Sequence, residues 1–226
     1  MAEFRIPFFR PEIDDDDIEA VTGALRSGWL TSGPNVAAFE QELGAFTGAR
    51  EAVALNSCTA AMHLTLAAWD IGPGDEVVTT PYTFASTVSV IVQVGAKPVL
   101  ADIRAHDLNI DPDQIARVVT PETKAILPVH FAGEPCEMDA IAKVANANSV
   151  KVLEDAAHAI GGRYHGQRVG SISDATAFSF YATKAVAMGE GGALTTDDAA
   201  LAERVRGLSL HGMSRDAWHR YDAGAS

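Results

Sequence analysis

From residue 51 onward, short apolar runs alternate with stretches of helical periodicity, and this alternation leaves the chain few possible architectures. The apolar runs fall at 51–55, 75–79, 97–101, 124–129, 150–154, 175–179 and 192–196. Between them, 59–69, 84–94, 112–119, 137–147 and 198–208 read as helices. Two further helices, 14–28 (led by acidic residues and closed by Gly28) and 35–48, precede the first run. Strands alternating with helices predict an α/β fold, with a mostly parallel sheet covered by helices on both faces. Such sheets bind ligands beyond the carboxyl ends of their strands. That rule selects Asn56–Thr59, Pro81–Phe84, His130–Gly133, Asp155–His158 and Ser179–Lys184 as the segments to search.

Composition narrows the function classes. The 226 residues suffice for one large domain, or for one large and one small. With 17 Lys+Arg against 30 Asp+Glu, the net charge is −13, which argues against sequence-independent nucleic-acid binding and against anionic membrane surfaces. The two cysteines, Cys58 and Cys136, have no CxxC spacing, so no zinc or other metal site is expected, and a reducing compartment is. The start MAEFRIPFFRPEIDDDD lacks the profile of a signal peptide, and no apolar run reaches the roughly 18 residues of a membrane span. A cytoplasmic location is expected.

Three segments carry chemistry. In LNSCTAAMH (55–63), Asn56, Ser57 and Thr59 lead from a strand into an apolar helix. Such a start is a good N-cap, and its free N–H groups also suit an anion such as phosphate. In VKVLEDAAH (150–158), a buried strand ends on Glu154 and Asp155, with His158 three residues on. A carboxylate there can hold a metal, a ribose hydroxyl or a protonated ring nitrogen, or simply cap a turn. In AFSFYATKAVAMGEGG (177–192), Lys184 emerges from an apolar setting before a Gly-rich turn. A lysine so placed is a candidate for a lowered pKa and for Schiff-base chemistry, or else lies on the surface at a strand end. Ser57 and Ser179 can both donate to one phosphate.

One cofactor needs all of these groups together. Pyridoxal 5'-phosphate (PLP) requires a lysine amine for its aldehyde, an anion-binding turn for its phosphate, and a carboxylate on its pyridinium nitrogen. Phe84, in PYTFAST, is the candidate flat side chain to lie on the ring; packing in the core is its alternative role.

The ordered blocks GWLTSGP (28–34), FE (39–40), NSCTAAMH (56–63), GDEVVTTPYTF (74–84), VHFAGEP (129–135), EDAAHAIG (154–161), FSFYATK (178–184) and GEGGAL (189–194) resemble the DegT/DnrJ/StrS family of nucleotide-sugar aminotransferases over nearly the whole chain. Within the family, the resemblance extends to the oxoglutarate-dependent branch that makes UDP-4-amino-4-deoxy-L-arabinose. It implies a fold type I PLP-dependent transferase large domain with a mixed, mostly parallel seven-stranded sheet between helices. It also implies a homodimer with its active site at the subunit interface. By motif, Lys184 is the Schiff-base lysine and acid/base, Asp155 pairs with the ring nitrogen, and His158 sits near the ring. Phe84 stacks on the ring, Cys58 and Thr59 offer backbone N–H groups to the phosphate, and Ser179 offers its hydroxyl. Glutamate is the implied amino donor and a nucleotide-linked keto-sugar the acceptor. Two departures are Ala185, where the family often has Asn, and Cys58, where it has a smaller residue. Relatives that dehydrate keto-sugars carry histidine in place of the lysine.

The family also implies a longer chain. The expected organisation is an N-terminal arm and first helix over 1–34, a PLP-binding large domain over 35–210, and over 211–226 the start of a connection to a C-terminal small domain that is missing. A regulatory or sensor protein of the same fold is the alternative reading. A dinucleotide-binding dehydrogenase fails, because no GxGxxG follows the first strand.

Overall fold

The structure is a computed structural model in which residues 9–212 are described. Helix α1 (Asp15–Ser27) begins with a capping box in which Asp14 accepts from the backbone of Asp17 and the Asp17 side chain accepts in return; it ends at Gly28, in the left-handed region at φ 75°. No residue of α1 is buried, and Ile18, Val21 and Leu25 are exposed on it. Helix α2 (Pro34–Thr47) follows, with proline in its first turn and Gly48 as its left-handed stop.

Seven strands form one sheet: β1 (Glu51–Leu55), β2 (Glu76–Thr79), β3 (Lys97–Leu100), β4 (Thr123–Leu127), β5 (Lys151–Asp155), β8 (Ala175–Ser179) and β9 (Gly192–Thr196). A separate two-stranded hairpin, β6 (Arg163–Tyr164) and β7 (Gln167–Arg168), lies between β5 and β8 in the chain. The sheet order is β1-β9-β8-β5-β4-β2-β3. Pairing is parallel from β8 through β5, β4 and β2 to β3, while β9 runs antiparallel to both β8 and β1. The sheet is therefore mixed and mostly parallel, as the alternation predicts.

Successive strand residues point to opposite faces, and both faces are dry. Val77, Leu127 and Leu153 join the core beneath helices α3 (Cys58–Ala68), α4 (Ala85–Gln93) and α7 (Ala199–Ser209). Their neighbours Val78, Ile126 and Val152 join the opposite core with α5 (Pro112–Val118) and α6 (Met138–Asn148). A third cluster joins Leu43 of α2 to Phe178, Phe180 and Ala193 at the β8–β9 end of the sheet.

Two sequence expectations need correction. The run at 124–129 ends as a strand at Leu127, because Pro128 has no N–H for the ladder; only Val129 rejoins, through an isolated bridge to Asp155. The β6–β7 hairpin was not expected. Its two central residues, His165 and Gly166, both have positive φ (48° and 85°), which suits the tight twist of a two-residue hairpin turn. The expected connection over 211–226 lies, from residue 213 on, outside the described residues. Among the described residues, no helix is long and apolar enough to cross a membrane, and no group of three or more His, Cys, Asp or Glu is placed to hold a metal.

Candidate active site

The register of three strands builds the floor of the site. Leu55 of β1, Gly192 of β9 and Ser179 of β8 lie side by side across the sheet. The chain leaves β1 through Asn56 and Ser57 and turns at once into α3, directly over Gly192. A Cβ at Gly192 would stand 2.1 Å from the Ser57 carbonyl carbon and 2.3 Å from the Cys58 nitrogen, so only glycine permits this approach.

At the start of α3, Ser57 acts as an acceptor and keeps its hydroxyl proton to donate elsewhere. Its Oγ accepts from the Ala60 N–H at 3.1 Å, which makes it the helix N-cap. Cys58 and Thr59 occupy the first two helical positions, whose N–H groups have no intrahelical acceptor and point out along the positive end of the helix dipole. The Cys58 side chain turns inward instead: its Sγ lies 3.5 Å from the Ala177 carbonyl and 3.8 Å from Asp155 Oδ1. Burial, reinforced by the Asp155 charge, raises its pKa well above the ordinary thiol value, so it stays a protonated thiol.

β5 delivers two adjacent carboxylates to opposite faces. Asp155, 4% exposed, lines a cavity of about 750 Å³. Its Oδ1 accepts from the Ala157 N–H at 3.1 Å and its Oδ2 from the Thr87 hydroxyl at 2.8 Å. Its backbone is clasped by the segment after β4, donating to the Pro128 carbonyl (2.9 Å) and accepting from the His130 N–H (3.1 Å). Glu154 faces the other way and is fully buried. It accepts from His130 Nε2 (2.7 Å), Ser173 Oγ (2.6 Å) and Thr176 Oγ1 (2.9 Å). The Cys136 N–H donates to His130 Nδ1, which leaves the imidazole proton on Nε2, where it is donated to Glu154. Burial alone would raise the Glu154 pKa, but these partners hold it below the ordinary carboxylate value. Of the two carboxylates the sequence offered, one belongs to the cavity and the other to the frame behind it.

Lys184 sits in the β8–β9 connection, in a turn closed by its own N–H donating to the Tyr181 carbonyl at 2.9 Å. Partial burial lowers its pKa, against the opposing pull of Asp155. His158 is pushed below its ordinary pKa by burial and then by Lys184, again with Asp155 opposing. Phe84, 79% exposed at the start of α4, is on the cavity wall, which excludes the core role. The structure thus brings Ser57, Cys58, Thr59, Phe84, Asp155, His158, Ser179 and Lys184 to one cavity. Tyr82, Thr83 and Phe131 fall in the segments selected from sequence but had no role assigned; the Tyr82 and Phe131 rings meet on the wall with centroids 4.8 Å apart, while Thr87 and the pairing of His130 with Glu154 were missed.

A family model described as the DegT/DnrJ/EryC1/StrS aminotransferase family matches residues 11–225. The chain belongs to this family. It is 57% identical over 221 residues to the spore coat polysaccharide biosynthesis protein SpsC of Bacillus subtilis (strain 168), an alignment covering 98% of this chain and 57% of that protein. Among solved structures, the aminotransferase from Psychrobacter cryohalolentis superposes with a TM-score of 0.91 at 38% identity, covering 97% of this chain and 57% of that one. The putative sugar aminotransferase Spr1654 from Streptococcus pneumoniae, in its PMP-form, gives 0.90 at 37% identity, covering 97% and 60%. Its PLP-form gives 0.88 at 37% identity, covering 92% and 59%. The fold is thus that of the DegT/DnrJ/EryC1/StrS aminotransferases. The chain spans 57% of the length of its relative SpsC.

Proposed function

We propose that this chain is the cofactor-binding part of a PLP-dependent sugar aminotransferase that passes the amino group of glutamate to a nucleotide-linked keto-sugar. The observation that carries the reading is convergence: Lys184, the buried Asp155 carboxylate and the N-terminal turn of α3 meet in one cavity. The residues fit the cofactor in three respects. A buried carboxylate on a cavity wall favours a cationic partner such as a pyridinium N–H. A lysine whose pKa is lowered holds more of its amine in the neutral, nucleophilic form. The free N–H groups of Cys58 and Thr59, with the Ser179 hydroxyl, suit a phosphate dianion.

When bound, PLP supplies an electron sink that makes the hydrogen on the amino-bearing carbon acidic. Lys184 Nζ takes that proton and returns it. Asp155 holds a proton on the ring nitrogen, and His158 borders the same space. Phe84 offers a flat face to the ring. In this reading residues 35–210 are the cofactor-binding domain, preceded by an arm and first helix. A homodimer belongs to the same proposal.

Borohydride reduction of the PLP-treated protein, followed by peptide mapping, tests the reading. The pyridoxyl group is expected on Lys184 and lost in Lys184→Ala. Its appearance on Lys124 or Lys151 would overturn the assignment.

A further inference from the structure

We infer that Thr87, which does not line the cavity, is a positioning residue for Asp155: a hydrogen-bond chain from Thr83 through Thr87 fixes the rotation of the carboxylate that faces the cofactor site. The inference rests on the reading of the cavity given above.

Thr87 is fully buried in the first turn of α4, and Asp155 ends β5, 68 residues later in sequence. The two oxygens of Asp155 are held differently. Oδ1 has a backbone amide two residues on, that of Ala157, and the weakly donating Cys58 thiol at 3.8 Å. Oδ2 has the Thr87 hydroxyl at 2.8 Å. The amide on Oδ1 belongs to the same loop as Asp155 and moves with it. Thr87 stands on a different element, so it alone of these strong donors references the carboxylate to the rest of the fold.

The direction of the chain follows from donor inventory. An ionised carboxylate only accepts, so Thr87 must donate to it. The Thr87 oxygen is then left as an acceptor, and Thr83 Oγ1, 2.7 Å away, must donate to Thr87. The order Thr83→Thr87→Asp155 commits both hydroxyl protons and ends at Thr83, on the cavity wall. Full burial and the contact with Thr83 hold the Thr87 hydroxyl in place, which preorganises the donor. Rotation of the carboxyl group decides which lone pair meets a ring N–H, so the placement of Thr87 sets the geometry of that contact.

Thr87→Val keeps the shape and removes the donor, while Thr87→Ser restores it. Lys184, His158 and Cys58, the other titratable groups around Asp155, are unchanged in both. In Thr87→Val the PLP dissociation constant should rise about tenfold, within the range set by loss of a charge-assisted hydrogen bond. The absorbance of bound PLP should also titrate at a different pH from wild type. Thr87→Ser should return both towards wild type. Thr83→Val, which frees the Thr87 oxygen but leaves its bond to Asp155, should shift both readouts in the same direction by less. Wild-type affinity and an unchanged absorbance profile in a folded Thr87→Val would overturn the inference, as would a Ser variant no better than Val. Should Thr87→Val fail to fold, Thr83→Val decides: an unchanged profile there overturns the inference. If PLP attaches to Lys184 in the wild type while these variants behave as wild type, only this inference falls. If PLP does not attach to Lys184 at all, the reading of the cavity falls first.

Discussion

Lys184 carries its amine where a positive charge is held at a cost. Partial burial lowers its pKa below the ordinary 10.5, and the Asp155 charge opposes the shift without cancelling it. In the unliganded protein, between the lowered value and 10.5, the unfolded chain binds more protons than the folded one, so stability rises with pH across that window. Below the window, the full cost of the partly buried ammonium is present. Lys184→Met should therefore stabilise the unliganded protein near neutral pH, and the gain should fade as pH rises through the window. Urea denaturation of both proteins, at about pH 7 and again near the upper end of the window, measures this. A variant less stable than wild type at neutral pH would mean that the ammonium is net favourable where it sits. Such a result would also remove one support for Lys184 as a nucleophile, because the same lowered pKa supplies the neutral amine.

At the scale of elements, the site depends on β9 beginning with glycine. Gly192 lies between Leu55 and Ser179, under the turn that opens α3. Gly192→Ala must push that turn away or move the strand, at a cost of about 1–3 kcal/mol for overpacking. The turn is the softer of the two, since β9 is paired on both edges. PLP affinity should then fall by about tenfold or more, as phosphate donors lose alignment. A PLP titration beside a urea melt separates the two effects, and wild-type affinity would show that the turn absorbs the methyl group elsewhere. The inner strands were legible because burial on both faces gives them short apolar runs, as at Val77–Val78, whereas the edge strand β3 has no buried residue. The β6–β7 hairpin was not legible, since two-residue strands leave no apolar run to read. The cavity residues were legible for a related reason: strand ends follow directly from strand positions. Their supports were not. Thr87 meets Asp155 only after the sheet assembles, and Glu154 parts from Asp155 only through strand alternation, with partners at His130, Ser173 and Thr176.

Across the whole molecule, the net charge of −13 works against the ligand that the site is built to hold. PLP carries its phosphate as a dianion near neutral pH, and among the described residues Lys184 is the one Lys or Arg lining the cavity, beside the acidic Asp155 and Glu190. On the proposed reading attraction is local: it comes from the N–H groups and dipole of α3, whose influence fades within about a turn of helix. Repulsion is long-ranged, because it sums over the whole surface. Salt separates the two. The screening length is about 10 Å at 0.1 M ionic strength, so added salt removes the distant repulsion before it weakens contacts inside the cavity. The rate at which PLP enters the unliganded protein should therefore rise with ionic strength, by roughly two- to fivefold between about 0.01 and 0.2 M, the reverse of a site with a basic mouth. Stopped-flow absorbance at several salt concentrations measures the slope. A rate that falls with salt would mean that positive charge dominates the approach to the cavity. The local helix dipole would then no longer be the main source of phosphate attraction in this chain.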